Sequence, residues 1–289
     1  MTTVVDALAA LADGDLQTAA TAARLAATQQ PDSHLADALA QFLDDMPTPG
    51  VYDQPSAFET FIDNGGNVEL YRQTIRRLAA IHSDVEPRSV LDIGCGDGRV
   101  TAGVLSASTT HVELVEPSAE LLERAVAALN RPGIEVIAYH VDAGTFLADL
   151  DDGTKWDIVQ STFALHATDP TERPAIMQSL ARRTPRVVIV EFDVPAFIDR
   201  SRGHVAYLAE RYEQGIREYD DHREVISKFL MPVLVGQLDA AFPRYTFEQP
   251  IDEWTRLLHN AGFSTTTQLI ARYWWANAVL ISATTVPKS

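Results

Sequence analysis

The stretch 88–100, which reads RSVLDIGCGDGRV, constrains the fold of this chain more than any other. The apolar residues on both sides of Asp92 predict a short buried strand, and a helical pattern follows the glycines. Gly94, Gly96 and Gly98 predict a turn in which bare backbone approaches a ligand, because glycine lacks a Cβ and tolerates positive φ. A strand, a glycine loop and a helix in this order are typical of nucleotide-binding α/β sheets.

Strands and helices alternate along the rest of the chain. Further strands are predicted at residues 111–116, 134–139, 156–161 and 186–192. A last helix then precedes two more strands, predicted at 263–271 and 274–283. Alternation of this kind predicts a parallel sheet that is covered by helices on both faces. We therefore expect an α/β fold.

The net negative charge of the chain argues against some classes of binding partner. A formal net charge of −17 argues against nucleic acid or an anionic membrane, since both require a basic protein surface. A neutral or cationic small substrate fits better. The 46% hydrophobic and 22% charged residues are ordinary for a globular protein, and 289 residues can bury a sizeable core.

Cysteine and histidine usage bounds the chemistry further. Cys95 is the single cysteine, so no intramolecular disulfide can form, which suits a reducing cytosol. The eight histidines are scattered without HxxxH or paired Cys/His spacing, so no metal site is predicted. The first residues lack the pattern of a targeting segment, and no stretch approaches the ~18 apolar residues of a membrane span. We expect a cytoplasmic protein.

Two further acidic residues follow predicted strands, at the edge where open α/β sheets bind their ligands. Glu116 lies 18 residues after Gly98, near the ~20 expected for a carboxylate that accepts hydrogen bonds from both ribose hydroxyls. Asp142 is followed by Ala143 at the end of the third strand. Together with the glycine loop and Asp92, these residues resemble the motifs of the class I S-adenosylmethionine (SAM)-dependent methyltransferases.

The resemblance covers about residues 50–285 and implies a Rossmann-like, doubly wound seven-stranded sheet with an antiparallel last strand. It implies SAM as the cofactor and S-adenosylhomocysteine as the product. Glu116 would hold the ribose, Asp142 would meet the adenine amine, and Asp92 would lie beside the methionine moiety. The cofactor-binding residues expected on this basis are Tyr52, Asn67, Tyr71, Asp92, Gly94, Cys95, Gly96, Glu116, Pro117, Asp142, Ala143, Ser161, Thr162 and Phe163.

The glycine spacing separates SAM from other nucleotide-like ligands. A nicotinamide fingerprint reads G-x-G-x-x-G, whereas the third glycine here falls one position early. A Walker phosphate loop would need Gly-Lys-Ser/Thr, which the stretch lacks. SAM carries no phosphate, and its amino-acid end can pair with both backbone donors and backbone acceptors.

The chain before the sheet is predicted to be helical. Residues 1–49 contain two helices joined across Pro31, which resemble a single tetratricopeptide-like hairpin. This region would cap the catalytic domain or serve as a dimerisation arm. Helices at 55–64 and 67–83 follow, and we assign residues 50–289 to the methyltransferase domain.

The helix predicted at 67–83 is a candidate cover for the cofactor, as in many small-molecule methyltransferases. Tyr52, Phe61 and Tyr71 are candidates to lie near the sulfonium, since a cation over an aromatic face gains roughly 0.5–2 kcal/mol. Asn67 could cap the helix or bond the amino-acid end of the cofactor. An ordinary packed helix face is the alternative.

The loop after the fourth strand ends at His166, and in the resembling family it lies beside the transferred methyl. Some members have a histidine base there, so His166 is a catalytic candidate, together with Glu191 at the end of the fifth strand and Tyr71. The alternative for His166 is packing, or capping a helix that begins at Pro170. Glu191 could instead orient the acceptor or close a loop.

An expanded region at about 196–249 resembles insertions that form a lid over the acceptor. The acceptor-site candidates are Tyr207, Tyr212 and Met231 in this region and Trp275 near the C-terminus. Dimer packing is the alternative for the lid helices, and edge-strand packing is the alternative for Trp275. A homodimer would form through the N-terminal helices or the lid.

Three functions are compatible with these residues. The leading one is transfer of the SAM methyl group to nitrogen, oxygen or carbon of a small-molecule acceptor, in secondary or specialised metabolism. The second also uses SAM but attacks its aminobutyryl carbon, by aminocarboxypropyl transfer or by cyclisation, and releases methylthioadenosine. The third is a non-enzymatic SAM-binding partner protein. The cofactor motifs would be the same in all three.

Overall fold

The computed structural model describes residues 2–45, 55–151 and 153–286. Tyr52, one of the predicted cofactor residues, lies outside these ranges. The helices are α1 Val4–Ala12, α2 Leu16–Gln29, α3 His34–Asp45, α4 Pro55–Ile62, α5 Gly65–Val85, α6 Arg99–Val104, α7 Ala119–Leu129, α8 Ala143–Ala148, α9 Arg173–Arg183, α10 Arg202–Glu218, α11 Arg223–Val225, α12 Met231–Leu238 and α13 Ile251–Asn260. The strands are β1 Ser89–Ile93, β2 His111–Val115, β3 Glu135–Tyr139, β4 Ile158–Thr162, β5 Arg186–Asp193, β6 Phe263–Arg272 and β7 Asn277–Thr285.

The described residues fall into two compact units. The helical unit draws on Met1–Val68 and Ala196–Thr246, and the sheet unit draws on Glu69–Pro195 and Phe247–Ser289. The helical unit joins the first helices with the predicted lid region. The sequence did not predict this grouping, because packing between distant segments leaves no local signal. The division into residues 1–49 and 50–289 stays a prediction, as does the role of 196–249 as a lid.

The helical unit packs α1, α2 and α3 with α10. Its interior includes many aliphatic and small side chains, among them Leu8, Ala23, Leu39 and Leu208. Asp15 caps α2 as its sequence position predicts, since its carboxylate accepts from the Thr18 backbone amide at 3.0 Å. A π-helical turn, Ile226–Leu230, leads into α12. Pro232 lies in the first turn of α12, where a missing backbone donor is tolerated.

The sheet unit contains the predicted seven-stranded sheet. The strand order is β3-β2-β1-β4-β5-β7-β6. Strands β1 to β5 pair in parallel, and β7 is inserted antiparallel between β5 and β6. The Rossmann-like fold with an antiparallel last strand is therefore confirmed.

Alternate side chains of the central strands enter two separate cores. Leu91 of β1 packs in the core formed with α8, α9 and α13, which contribute Phe146, Ile176 and Trp254. The neighbouring Val90 packs in the opposite core, to which α5, α6 and α7 contribute Leu78, Val100 and Leu122. This alternation covers both faces of the sheet, so that its carboxyl edge is the place left for a ligand.

Three boundaries differ from the sequence-based expectation. Helix α5 begins at Gly65, so the two glycines open the helix and do not separate it from α4. Helix α9 begins at Arg173 with Pro174 in its first turn, and not at Pro170. Strand β7 begins at Asn277, which places residues 273–276 in the connection after β6. None of the described helices is long and apolar enough to cross a membrane.

Candidate active site

The glycine loop after β1 has the backbone conformation that its sequence predicts. Gly94, Gly96 and Gly98 have φ values of 70°, 54° and 75°, which side chains other than glycine rarely adopt. A Cβ on Gly94 would collide with Ala164, and one on Gly98 would lie 2.7 Å from the Ala125 Cα. A Cβ on Gly96 would meet no atom of the described residues within 4 Å. The loop is thus packed at both ends and open at its centre.

Glu116 fastens this loop from the end of β2. Its carboxylate accepts hydrogen bonds from the backbone amides of Gly96 and Ser118, both at 3.0 Å. Burial raises the pKa of Glu116, while the two amides act in the opposite direction. Each carboxylate oxygen has a second lone pair, so Glu116 can still accept from a ligand hydroxyl. Its position at the strand end agrees with the predicted ribose contact.

Asp92 lies beneath the loop in a buried polar chain. It is 2% exposed, and one carboxylate oxygen accepts from the Thr101 hydroxyl and from the Gln160 amide, the latter at 3.0 Å. Gln160 is in turn bonded to His82 at 2.9 Å. The other oxygen of Asp92, Oδ1, is buried without a hydrogen-bond partner among the described residues. Burial raises the pKa of Asp92 to about 6. Buried polar atoms usually have a hydrogen-bond partner, so Oδ1 is a candidate to accept a hydrogen bond from a ligand.

The raised pKa of Asp92 makes a prediction about stability. Between the unfolded value of 3.8 and about 6 the folded protein binds one more proton at Asp92, so stability falls as pH rises through this window. The loss amounts to about 3 kcal/mol, at 1.36 kcal/mol per pKa unit. Asp92→Asn should abolish this loss of stability. Chemical denaturation at pH 4 and pH 7 measures the free energy of unfolding of the variant and of wild type. The exposed Asp221→Asn is the control. Equal pH dependence in Asp92→Asn and wild type would contradict the assignment.

The open position of Gly96 makes a second prediction. Gly96→Ala places a methyl group where the ligand is expected, so SAM affinity should fall at least tenfold, which corresponds to about 1.4 kcal/mol. Gly133→Ala is a matched control, because Gly133 has φ 87° and equally open surroundings, but lies in the turn before β3. Both variants should lose about 1 kcal/mol of stability to backbone strain. Calorimetric titration with SAM should separate them; equal affinities would contradict the placement.

A cavity of about 1130 Å³ lies beside the loop, at the carboxyl ends of the central strands. It is lined by four of the predicted cofactor residues, Gly94, Pro117, Asp142 and Ala143. Asp142 also caps α8, since its carboxylate accepts from the Thr145 amide at 2.9 Å and from the Thr145 hydroxyl at 2.7 Å. These bonds lower the pKa of Asp142, although burial opposes them. Helix capping alone accounts for an aspartate here, so its adenine contact stays a prediction.

The segment after β4 places aromatic side chains beside the glycine loop. The Ser161 hydroxyl donates to the Ile93 carbonyl at 2.8 Å and thereby ties β4 to β1. Phe163 contacts Tyr71 edge-on, with ring centroids 5.8 Å apart, and stacks on Phe192 at 4.7 Å. The Arg99 guanidinium lies 5.8 Å from the Tyr71 ring. Tyr71 and Phe163, predicted separately from the sequence, are therefore neighbours.

Two of the catalytic candidates, half-buried His166 and buried Glu191, form a pair. His166 Nδ1 lies 2.8 Å from Glu191 Oε2, and the His166 backbone amide donates to Oε1 at 3.1 Å. Burial lowers the pKa of His166, but Glu191, with a contribution from Glu248, outweighs it, so the net pKa is raised. Glu191 is 1% exposed, and its contact fixes Nδ1 as the protonated nitrogen of the neutral ring. The second ring nitrogen, Nε2, is left for proton transfer.

Arg173 clamps the turn that carries His166. Its buried guanidinium donates to the backbone carbonyls of Thr168 at 2.9 Å and Phe247 at 2.5 Å. It also packs 4.5 Å from the Trp254 ring. The Phe247 amide donates to the His166 carbonyl at 2.7 Å. Sequence reasoning missed Arg173, because an arginine at the start of a polar helix resembles a solvated side chain.

Comparisons with known proteins agree with this architecture. The sequence model of the family described as "Methyltransferase domain" matches residues 90–185, which hold β1 to β4 and the site segments up to α9. Residues 90–185 are a methyltransferase domain. The resemblance to the class I SAM-dependent methyltransferases is thereby confirmed, and this family uses SAM and releases S-adenosylhomocysteine. The chain has no significant match among curated proteins.

Solved structures share the fold of the methyltransferase domain. Magnesium protoporphyrin IX methyltransferase from Synechocystis PCC 6803, with bound S-adenosylhomocysteine, matches with a TM-score of 0.53 and 16% identity. That match covers 80% of this chain and 94% of the other. A candidate O-methyltransferase from Nostoc punctiforme PCC 73102 matches with a TM-score of 0.50 and 17% identity, over 81% of this chain and 59% of the other.

Other predicted site residues have structural partners outside the methyltransferase core. Asn67 is 2% exposed in the helical unit, and its amide donates to the Phe61 carbonyl at 2.9 Å and the Tyr219 hydroxyl at 2.7 Å. Phe61 itself packs against Tyr219 and Phe229. These contacts fix the start of α5, so a cofactor contact of Asn67 would have to use its carbonyl oxygen.

The remaining candidate site residues are packed as follows. Tyr212 and Met231 are buried in the helical unit, where packing accounts for them, and Tyr207 is half-buried beside Phe197. Trp275 is buried in the connection between β6 and β7 and contacts Trp274. Burial raises the pKa of the Cys95 thiol, which keeps it protonated. The Thr162 hydroxyl is buried without a hydrogen-bond partner among the described residues. Acceptor and cofactor roles for these residues stay predictions.

Proposed function

We propose that this chain transfers the methyl group of SAM to nitrogen, oxygen or carbon of a small-molecule acceptor. SAM supplies an electrophilic methyl group when bound. The chain's own residues must hold that group, align the acceptor, exclude water and accept the proton that the acceptor loses. The observation that carries the proposal is the 2.8 Å contact between buried Glu191 and His166, which lies in the segment that matches the methyltransferase domain.

The residues around the glycine loop fit the proposed cofactor. Among the described residues, none fills the space that a Cβ on Gly96 would take, and none donates to Asp92 Oδ1. Asp92 would pair with the amino-acid end, Glu116 with the ribose hydroxyls and Asp142 with the adenine amine. Tyr71 and Phe163 would present aromatic surface to the sulfonium. The likeness to a structure that holds S-adenosylhomocysteine supports the same ligand class.

His166 has the chemistry of a general base for this reaction. Glu191 orients the ring through Nδ1 and stabilises the imidazolium that forms when Nε2 accepts a proton. The hydrogen bonds of Arg173 hold the turn that carries His166, so that the position of His166 Nε2 stays fixed during methyl transfer. Positioning supplies much of the acceleration in a direct displacement, and a base at a fixed distance adds typically 10²–10⁴-fold.

Identification of the cofactor product tests the proposal. The full chain is incubated with SAM and a panel of acceptors bearing hydroxyl, amine or activated carbon groups, and the products are identified by mass spectrometry. The proposal predicts S-adenosylhomocysteine and a methylated acceptor, with His166→Asn as the negative control. Methylthioadenosine would overturn methyl transfer in favour of attack at the aminobutyryl carbon. Tight SAM binding without either product would favour a binding role.

A further inference from the structure

We propose that the acceptor is a planar aromatic compound with an ionisable hydroxyl, bound against a row of aromatic side chains next to His166. This aromatic row consists of Tyr71, Phe163, Phe192 and Tyr273. The inference rests on the proposed methyl transfer and names its substrate class. It follows from the geometry of the rings, the backbone of Phe163 and the neighbouring base.

The aromatic row crosses the carboxyl edge of the sheet. Phe163 follows β4, Phe192 belongs to β5 and Tyr273 follows β6. Phe192 stacks on Phe163 at 4.7 Å and on Tyr273 at 5.7 Å, with 21° between the ring planes in both cases. Tyr71 adds an edge contact to Phe163. Phe163, Phe192 and Tyr273 are therefore nearly parallel, and a flat aromatic ligand can extend such a set with favourable offset stacking.

The backbone of Phe163 is held in an unfavourable conformation. Its φ is 52°, in the left-handed region that bulky residues rarely adopt. The Phe163 amide donates to the Val190 carbonyl at 2.8 Å and so holds this conformation. The buried hydroxyl of the preceding Thr162 has no hydrogen-bond partner among the described residues. Strained backbone beside an unsatisfied polar group is typical of a site shaped for a ligand.

Tyr71 and Phe163 pack against the core that contains Val90, yet the row as a whole keeps exposed ring surface. Tyr71, Phe163, Phe192 and Tyr273 are all half-buried. By contrast, Phe263 at the start of β6, on the opposite edge of the same sheet, is buried. Several adjacent, partly exposed rings at the ligand-binding edge form an apolar surface that a bound molecule would cover.

The base next to the row selects the acceptor group. The His166 ring lies 6.4 Å from the Phe192 ring, and Glu191 precedes Phe192 in β5. A phenol titrates near pH 10, as tyrosine does, so it is mostly protonated at neutral pH and gains from a base. A saturated alcohol is a far weaker acid, and an imidazole removes its proton much less readily. The net charge of −17 also disfavours an anionic acceptor.

A pair of acceptors of equal size tests the inference. 2-Naphthol and its saturated counterpart 2-decalol carry one hydroxyl on fused six-membered rings, but only 2-naphthol is planar and acidic. Their affinities are measured by calorimetry with S-adenosylhomocysteine present, and kcat/KM is measured with SAM. We expect 2-naphthol to be preferred at least tenfold in kcat/KM. Phe192→Leu should reduce kcat/KM for 2-naphthol about tenfold, with SAM affinity within about twofold of wild type.

Phe263→Leu is the control for the loss of an aromatic ring in the same sheet. It should leave the preference for 2-naphthol unchanged. Equal kcat/KM for the two acceptors, or an unchanged preference in Phe192→Leu, would overturn the inference while the proposed methyl transfer stands. A 2-naphthol that stays unmethylated while other acceptors of the panel are methylated would also overturn only the inference. Release of methylthioadenosine, or no methylated product from any acceptor, would overturn the proposed function itself.

Discussion

Replacing His166 with asparagine is expected to lower kcat for methyl transfer by about 10²- to 10⁴-fold, the usual contribution of a general base. SAM affinity should stay within about twofold, because His166 is assigned to the acceptor side. Because Glu191 raises its pKa, wild-type His166 accepts a proton only above that pKa, so kcat should rise with pH. His166→Asn should lose this rise. Steady-state kinetics between pH 5 and 9 measure both effects.

The chain offers a matched control for this substitution. His111 is also paired with a glutamate, Glu113, at 3.1 Å, but lies at the start of β2, on the opposite edge of the sheet. His111→Asn should therefore leave kcat and its pH dependence unchanged. If His166→Asn kept more than about a tenth of the wild-type kcat, the base assignment would be wrong.

Replacing Glu116 with alanine is expected to weaken SAM binding by about 10- to 100-fold. Hydrogen bonds to a charged acceptor contribute about 1.5–3 kcal/mol, and Glu116 would make them with the ribose. The variant also releases the amides of Gly96 and Ser118, so the glycine loop loses an anchor. Calorimetric titration with SAM measures the change. Glu116→Gln, which keeps one acceptor oxygen, should give an intermediate affinity.

Glu123→Ala controls for the loss of a negative charge near the same helix. Glu123 is an exposed residue of α7, the helix that follows Glu116. It should leave SAM affinity unchanged. If Glu116→Ala bound SAM as tightly as wild type, the predicted contact between Glu116 and the ribose would be wrong.

Local patterns carried most of the fold prediction. The glycine loop could be predicted because positive φ at Gly94, Gly96 and Gly98 is a property of single residues. The alternation of strands and helices could be predicted from periodicity alone, and the sheet order then follows from the family resemblance. The start of β7 was placed three residues early, because the aromatic residues 274 and 275 resemble a strand but lie in its connection.

Contacts between residues that are distant along the chain could not be predicted from the sequence. His166 and Glu191 were each candidates because they follow or end a strand, yet only the parallel pairing of β4 with β5 brings them within 2.8 Å. The Arg173 clamp joins residues about 74 positions apart along the chain, and no local signal marks it. For Asn67 the sequence offered a helix cap or a cofactor contact and gave no sign of Tyr219, to which its amide donates in the structure. Its cofactor contact stays a prediction.

Direct titration with nucleotide-like ligands tests whether the glycine loop and its acidic residues bind SAM. SAM, NAD⁺ and ATP are titrated separately into the full chain by calorimetry, and S-adenosylhomocysteine serves as the competitor. We expect saturable binding of one SAM per chain with a Kd in about the micromolar range, displacement by S-adenosylhomocysteine and no binding of NAD⁺ or ATP. Binding of NAD⁺ or ATP in a protein that does not bind SAM would contradict it.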